Sequence, residues 1–282
     1  MDLICYSCLL RQLIDLLSCA KVSSEKSHEV FFKVYDYIKN RPLDKLCLQI
    51  GNEIYLILKE ETGIGDPCRE IKDISNKLSL EIYPWLKKIV QNSKNKLETA
   101  LKIAIAGNVI DVGAGIDLDL RKAVEQTIIQ DIDERYYRDF VSLISNANNI
   151  IFLADNAGEV VFDRVFLEEI KKVNKNKIYY VVKDKPYLND ALRNDAICAR
   201  IDKIAEVISN SSDYAGTQLD KCHSSFLKEF SKADLIISKG YANYMSLKNV
   251  EKPIFFLFKI KCPLMQDEFN VKKGSIIFKN NL

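Results

Sequence analysis

An α/β fold is predicted: a helical N-terminal domain packed on a Rossmann-like α/β/α domain with a mainly parallel sheet. Three observations predict it. Residues 1–106 read as helix after helix. From residue 149 onward, short apolar runs alternate with helix-length stretches, the pattern of βα units in a parallel sheet. Four of those runs end on polar residues. The division is placed at 1–106 and 107–282, with the boundary falling somewhere between 95 and 148.

Taken in order, LICYSCLLRQLIDLLSCA (3–20) and HEVFFKVYDYIKN (28–40) each carry apolar residues on one helical stripe. LDKLCLQIGNEIYLILKEE (43–61) follows and stops at Thr62-Gly63. Asp66-Pro67 then reads as a helix start, a carboxylate at the N-cap with proline in the first turn. The helix it opens runs over 68–92, where Pro84 is expected to kink or break it. Small residues fill the helix LETALKIAIAG, and Asp111 with Gly113 and Gly115 makes a tight polar turn after it. Helices over 119–130 and 134–147 lead to the first strand, 150–154. Strands KIYYVVK, IAEVISN, ADLIISK, PIFFLFK and a last one near SIIFKN come next; a helix follows each of the first three, including TQLDKCHSSFLKEF (217–230).

Composition limits the partners. With 41 basic and 39 acidic residues, the net charge of +2 creates no global field for nucleic acid or an acidic membrane. Uninterrupted apolar runs fall short of the roughly 20 residues of a membrane span. The N-terminus lacks the basic start and small-residue cleavage site of a signal peptide. The expectation is a cytoplasmic protein acting on a small molecule, with neither nucleic acid nor membrane as partner. Eight cysteines without an export signal argue for thiols rather than disulfides.

The chain is organised around NIIFLADNAGEVVFDR (149–164): a buried-strand run, the polar pair Asp155-Asn156, then Ala157-Gly158-Glu159 opening a helix. The second strand ends near Lys183, with Asn189-Asp190 beyond it; the third ends at Asn210–Asp213 before Gly216-Thr217; the fourth ends at Lys239-Gly240 with Asn243 one turn on. In a parallel sheet these ends share one edge. Asp155, Asn156 and Asp190 make a partial oxygen shell for a hard divalent ion, or else they cap helices and turns. Lys239 either holds a phosphate as a point charge or is a solvated strand-end lysine. Gly158 and Gly216-Thr217, each at a helix start, can offer backbone N–H groups to an anion. Asn108 and Asp111 either close the site from the helical side or form a simple turn.

Cys5 and Cys8 share one helix face and could chelate a soft metal at a second site; inert thiols explain them equally well. His28 and His223 are the two histidines and neither has metal-binding spacing. GxGxxG and Walker sequences are absent, which removes dinucleotide and P-loop readings.

AGNVIDVG, LADNAGEVVFDR, KPYLNDA, SDYAGT and ADLIISKGYANY, in this order, resemble the metal-dependent damage-control phosphatases, a group first catalogued as domain of unknown function 89. Its eukaryotic members were once described as acidic-residue methyltransferases. GDPCREIKDISN and the short helix with Cys5 and Cys8 resemble the microbial branch. The resemblance implies a phosphatase for small phosphorylated metabolites, sugar phosphates or damaged ones. It implies a divalent cofactor (manganese, nickel, cobalt or magnesium) on Asp155, Asn156 and Asp190, and a phosphate-contacting Lys239. Glu159, Asn108, Asp111 and Asn243 fall on motif positions of the substrate pocket or its support. The sequence departs from the pattern at LRNDA after Asn189-Asp190 and at NSSDYAGT. The alternatives are an S-adenosylmethionine-dependent carboxyl methyltransferase and a non-enzymatic metal- or nucleotide-binding module.

Overall fold

The computed structural model describes residues 2–40, 47–110 and 119–281. The turn at Asp111, Gly113 and Gly115 and the residues expected to start the third helix lie outside them. Strands β1 (Asn149–Leu153), β2 (Lys177–Val182), β3 (Glu206–Ser209), β4 (Leu235–Lys239), β5 (Ile254–Lys259) and β6 (Ile276–Asn280) form one sheet in the order β3-β2-β1-β4-β5-β6. β1 pairs in parallel with both β2 and β4. The chain therefore steps outward from β1 on one side, then returns to start again on the other. That reversal is a topological switch point, the place where open sheets of this kind leave a crevice beyond the strand ends.

The four inner strands, β2, β1, β4 and β5, are buried on both faces, so alternate residues face opposite layers. Ile150, Phe152, Tyr180, Ile237 and Phe255 join a cluster with helices α4 (Arg69–Asn92), α5 (Lys96–Gly107), α6 (Leu120–Ile128), α7 (Glu134–Asn146) and α8 (Glu159–Val173). Ile151, Leu153, Ile236 and Phe256 face α10 (Ser224–Lys232), α11 (Tyr241–Leu247) and α12 (Pro263–Phe269). The short helix α9 (Arg193–Cys198) follows β2. A third cluster joins α1 (Leu3–Ala20), α2 (Ser24–Lys39) and α3 (Cys47–Thr62) to Tyr187 and Ala215, which lie in the loops after β2 and β3. The ring of Tyr55 meets that of Tyr187 edge-on at 5.1 Å, and Asn52 Oδ1 accepts the Ala215 N–H at 2.8 Å. The three-helix cap thus rests on the carboxyl edge of the sheet.

The expected mixed fold with a mainly parallel sheet is what forms, and local details differ from expectation. Pro84 does not break α4, because Lys72, Asn76 and Ser79 before it and Leu86 and Val90 after it are all buried. Packing on both sides outweighs one lost backbone bond. Asp66 does not cap that helix. Its carboxylate is taken by the fully enclosed Lys72 at 2.7 Å, and α4 begins at Arg69 with no side-chain cap. The helix expected over 217–230 is interrupted: a 3-10 turn covers Leu219–Lys221, Cys222 and His223 are extended, and His223 Nδ1 accepts the Ser225 N–H to start α10. α12, which carries no clear signal in the sequence, is an excursion whose two ends meet through the Gly274 N–H to Ile260 O bond at 2.8 Å. β6 consequently returns antiparallel to β5.

Among the described residues, α1 is long and apolar enough to cross a membrane by length and composition, with a mean hydropathy of 1.5. The expectation counted uninterrupted runs; the helix as a whole averages higher because its charged positions are few. Leu9, Leu13, Leu16 and Leu17 of this helix are buried against α2 and α3.

Candidate active site at the switch point

Asp155 leaves the end of β1 and Gly240 follows the end of β4, on either side of the reversal in strand order. Two amides hold the Asp155 carboxylate: Asn108 Nδ2 donates to Oδ2 at 2.8 Å and Asn156 Nδ2 at 3.1 Å. The same amides reach Glu159 Oε2, at 3.3 and 3.2 Å. Asn108 caps the C-terminus of α5, and its Oδ1 accepts the Lys259 N–H at 3.2 Å, so the end of α5 lies against Asp155 and Glu159. Gly107 makes this possible: a Cβ there would lie 2.9 Å from Phe162, so α5 and α8 approach closely.

Asp190 arrives on a separate segment. Asn156 and Asp190 form an isolated antiparallel bridge, the Ala191 N–H donates to Asp155 O at 2.8 Å, and the Ala157 N–H donates to Asn189 O at 2.8 Å. Asp155, Asn156 and Asp190 are thereby held on two paired strips of backbone. Lys183 stands 3.8 Å from Asp190 Oδ2 and donates to the carbonyls of Tyr214 and Gly216. Burial lowers the pKa of Lys183, against the opposing pull of the Asp190 carboxylate.

Lys239 is fully enclosed, not a solvated strand-end lysine. Its ammonium lies 2.6 Å from Glu159 Oε1 and also bonds Asp163 Oδ1, whose other oxygen accepts from the Tyr180 hydroxyl at 2.7 Å. Burial alone would lower the Lys239 pKa, but Asp163 and Glu159 outweigh it and the pKa is raised. Burial lifts Asp163 from 3.8 to about 6, with Lys239 opposing and Glu159 adding to the rise. A carboxyl raised on folding contributes stability that is complete below its unfolded value and lost as the pH climbs through its folded value. Stability of the wild type relative to Asp163→Asn is therefore expected to fall between about pH 4 and pH 6. Urea denaturation at a series of pH values reads this, and parallel curves would contradict it.

The remaining expected residues brace the site. Asn243 Nδ2 donates to Ala154 O at 3.1 Å and Lys239 O at 2.8 Å, while its Oδ1 accepts the Thr217 hydroxyl at 2.7 Å. No regular helix starts at Gly216-Thr217; Gly216 instead lets its loop pass α11, where a Cβ would fall 2.3 Å from Ala242 O. The Gly158 N–H, expected to face an anion, is taken by Asn76 Oδ1 at 2.7 Å. Asp111 lies outside the described residues.

Cys5 and Cys8 sit on α1, and all eight cysteines are free thiols. Cys47 hydrogen-bonds Cys5, with Cys8 and Cys262 nearby; burial, reinforced by these neighbours, pushes its thiol up to about 12. Among the described residues no group of three or more His, Cys, Asp or Glu side chains is arranged to hold a metal ion.

Sequence reasoning did not single out Asp163, Tyr180, Asn76 or Asp195. A signal existed for Asp163: it is four residues from Glu159, on the same face of a helix otherwise apolar there. The partners of Asn76 and Asp195 are 82 and 119 residues away or supplied by backbone, and sequence spacing carries no trace of them.

Residues 1–277 match the profile of the damage-control phosphatase ARMT1-like domain. An uncharacterized protein of Methanocaldococcus jannaschii is 35% identical over 281 residues, covering 96% of this chain and 92% of that one. A protein of Pyrococcus horikoshii named as a damage-control phosphatase is 34% identical over 236 residues, covering 82% and 80%. The crystal structure of a DUF89 family protein from Pyrococcus horikoshii superposes with a TM-score of 0.88 at 28% identity, over 100% of this chain and 99% of that one.

Proposed function

The chain belongs to the damage-control phosphatase ARMT1-like domain family, and from that membership we propose that it is a phosphatase that hydrolyses small phosphorylated metabolites, sugar phosphates or damaged ones, with a divalent cation held by Asp155, Asn156 and Asp190. The observation that carries the reading is one of charge. Asp155, Asp190, Glu159 and Asp163 gather with Lys183 and Lys239, which leaves a formal excess of two negative charges among these six groups. A phosphate ester entering such a site alone would be repelled. A hard divalent ion on two carboxylates and an amide oxygen offsets the excess and suits the donor set.

When bound, that cation supplies Lewis acidity toward the phosphoryl oxygens. The protein's own groups do the rest. Asn108 and Asn156 fix the Asp155 carboxylate from one side, and Gly240 leaves the other side clear. Glu159 orients both amides and is itself held by Lys239. Lys183 steadies Asp190. Lys239, expected to contact the phosphate, is instead enclosed at the floor of the site with its charge offset by Glu159 and Asp163, so its part is to hold those two carboxylates in place.

The methyltransferase reading is not favoured. A cofactor-binding loop after β1 needs glycines with free N–H groups, and this loop has Gly158 alone, whose N–H is already bonded.

The test is p-nitrophenyl phosphate hydrolysis by chelator-stripped protein, with magnesium, manganese, cobalt and nickel added back separately. Activity is expected to return with metal. Asp155→Ala and Asp190→Ala are each expected to lose activity by at least on the order of 10²–10³-fold, the range for removing one electrostatic contact to a developing oxyanion. Metal-independent turnover, or full activity in both variants, would overturn the assignment.

A further inference from the structure

The metal-ligand candidates come from two segments far apart in sequence, and one side chain ties both segments to a third element. Asn76 is buried in the middle of α4. Its Oδ1 accepts the Gly158 N–H at 2.7 Å, and its Nδ2 donates to Asp195 Oδ1 at 2.7 Å. The other oxygen of Asp195 accepts the Leu192 N–H at 2.8 Å, reaching back across the first turn of α9. One end of this relay grips the loop of Asp155 and Asn156 two residues beyond Asn156; the other grips the loop of Asn189 and Asp190 two residues beyond Asp190. Between the two grips lies the Asn156–Asp190 bridge.

The fit of α4 against the first loop is close. Gly158 adopts φ +77°, and a Cβ on it would lie 2.8 Å from the Ser75 side chain and 3.0 Å from the Ser75 backbone. Asn76 has to present an acceptor on one side and a donor on the other, which is what a neutral amide offers and a carboxylate does not.

We propose that Asn76, with Asp195, is a positioning pair that sets the separation of Asp155 and Asp190 and so tunes the affinity of the site for its divalent cation. The proposal rests on the function inferred above. It is distinct from catalysis, since neither residue is among the cation's candidate ligands. Partners that orient metal ligands typically change affinity about 10–100-fold when removed.

The relay can be exchanged chemically. In Asn76→Asp alone, a carboxylate would face the Asp195 carboxylate with no proton between them. In Asp195→Asn alone, one of its two acceptor oxygens becomes a donor. In the double exchange the roles are inverted. The new carboxylate at position 76 accepts from both the Gly158 N–H and the new amide at position 195, and that amide's oxygen accepts the Leu192 N–H. All three hydrogen bonds are restored.

The experiment measures Mn²⁺ binding by calorimetry and backbone amide exchange over 155–162 and 187–195 in metal-free protein, for the wild type, both single variants and the double. Each single variant is expected to bind Mn²⁺ about 10–100-fold more weakly and to exchange faster in both segments. The double is expected to return to within a few-fold of wild type on both readouts. Unchanged affinity in both single variants overturns the proposal, as does a double no better than the weaker single. If the wild type binds no Mn²⁺ while exchange still follows the swap, the functional reading fails and the relay is a plain structural staple. A purely structural role predicts that affinity tracks the loss of thermal stability rather than the restored hydrogen bonds.

Discussion

Lys239→Met is expected to destabilise the protein by about 3–5 kcal/mol, the usual cost of removing one partner from a buried ion pair. The lysine is wholly enclosed at the end of β4, and its ammonium is shared by Glu159 and Asp163 on successive turns of α8. Methionine fills much the same volume, so the loss isolates the charge. Without the ammonium, two carboxylates would face each other out of reach of bulk water, and at least one must take up a proton. Tyr180 can still donate to Asp163, but a single neutral donor does not replace a cation. Urea denaturation at neutral pH provides the measurement; a change within about 1 kcal/mol, the size of an exposed ion pair, would contradict the account. The deficit is expected to shrink as the pH falls toward about 6, as the stranded carboxyls of the variant take up protons, and to level off below it, where Asp163 is protonated in the wild type as well. Asp163→Leu combined with Lys239→Met is expected to recover part of the loss, since it removes one of the two stranded charges.

This triad shows where sequence reading reaches its limit. The alternation of apolar runs with helical stretches foretold the parallel sheet, and polar residues at four strand ends marked the edge where Asp155, Asn156, Asp190 and Lys239 meet. Those signals are local, set by side-chain periodicity and turn chemistry within a few residues. What Lys239 touches is not local: Asp163 is 76 residues away, and only the parallel pairing of β1 with β4 brings α8 over it. For the same reason the sequence could weigh a solvated lysine against a phosphate ligand without reaching a lysine locked by two carboxylates. Asp66 fails in the opposite direction. Its local pattern fits an N-cap, yet the buried Lys72 needs a counter-charge more than the helix end needs an acceptor. Gly158 and Thr217 read in the sequence as helix starts that offer N–H groups to an anion, while the groups that actually bond them, Asn76 and Asn243, come from other elements.

Gly240→Ala is expected to lower kcat/KM by about 10²-fold or more, with a much smaller effect on the fold. Gly240 has φ +81° and ψ 156°, a region that glycine occupies almost alone. A Cβ built there would stand 2.1 Å from Asp155 Oδ2 and 2.3 Å from its Cγ. The carboxylate would have to swing away by about an ångström or more, and displacement on that scale typically costs about 10²-fold in rate. Moving it also breaks the bonds from Asn108 and Asn156, which releases the hold of both amides on Glu159. Backbone strain alone is about 1–3 kcal/mol. Gly274→Ala separates the two effects: Gly274 has φ +86°, but nothing lies within 4 Å of its would-be Cβ. That variant is expected to lose stability and keep its turnover and Mn²⁺ affinity, whereas Gly240→Ala is expected to lose both turnover and affinity at a comparable melting temperature. Equal activity in the two variants would mean that Asp155 does not need its present orientation, and the switch-point site would lose its central carboxylate.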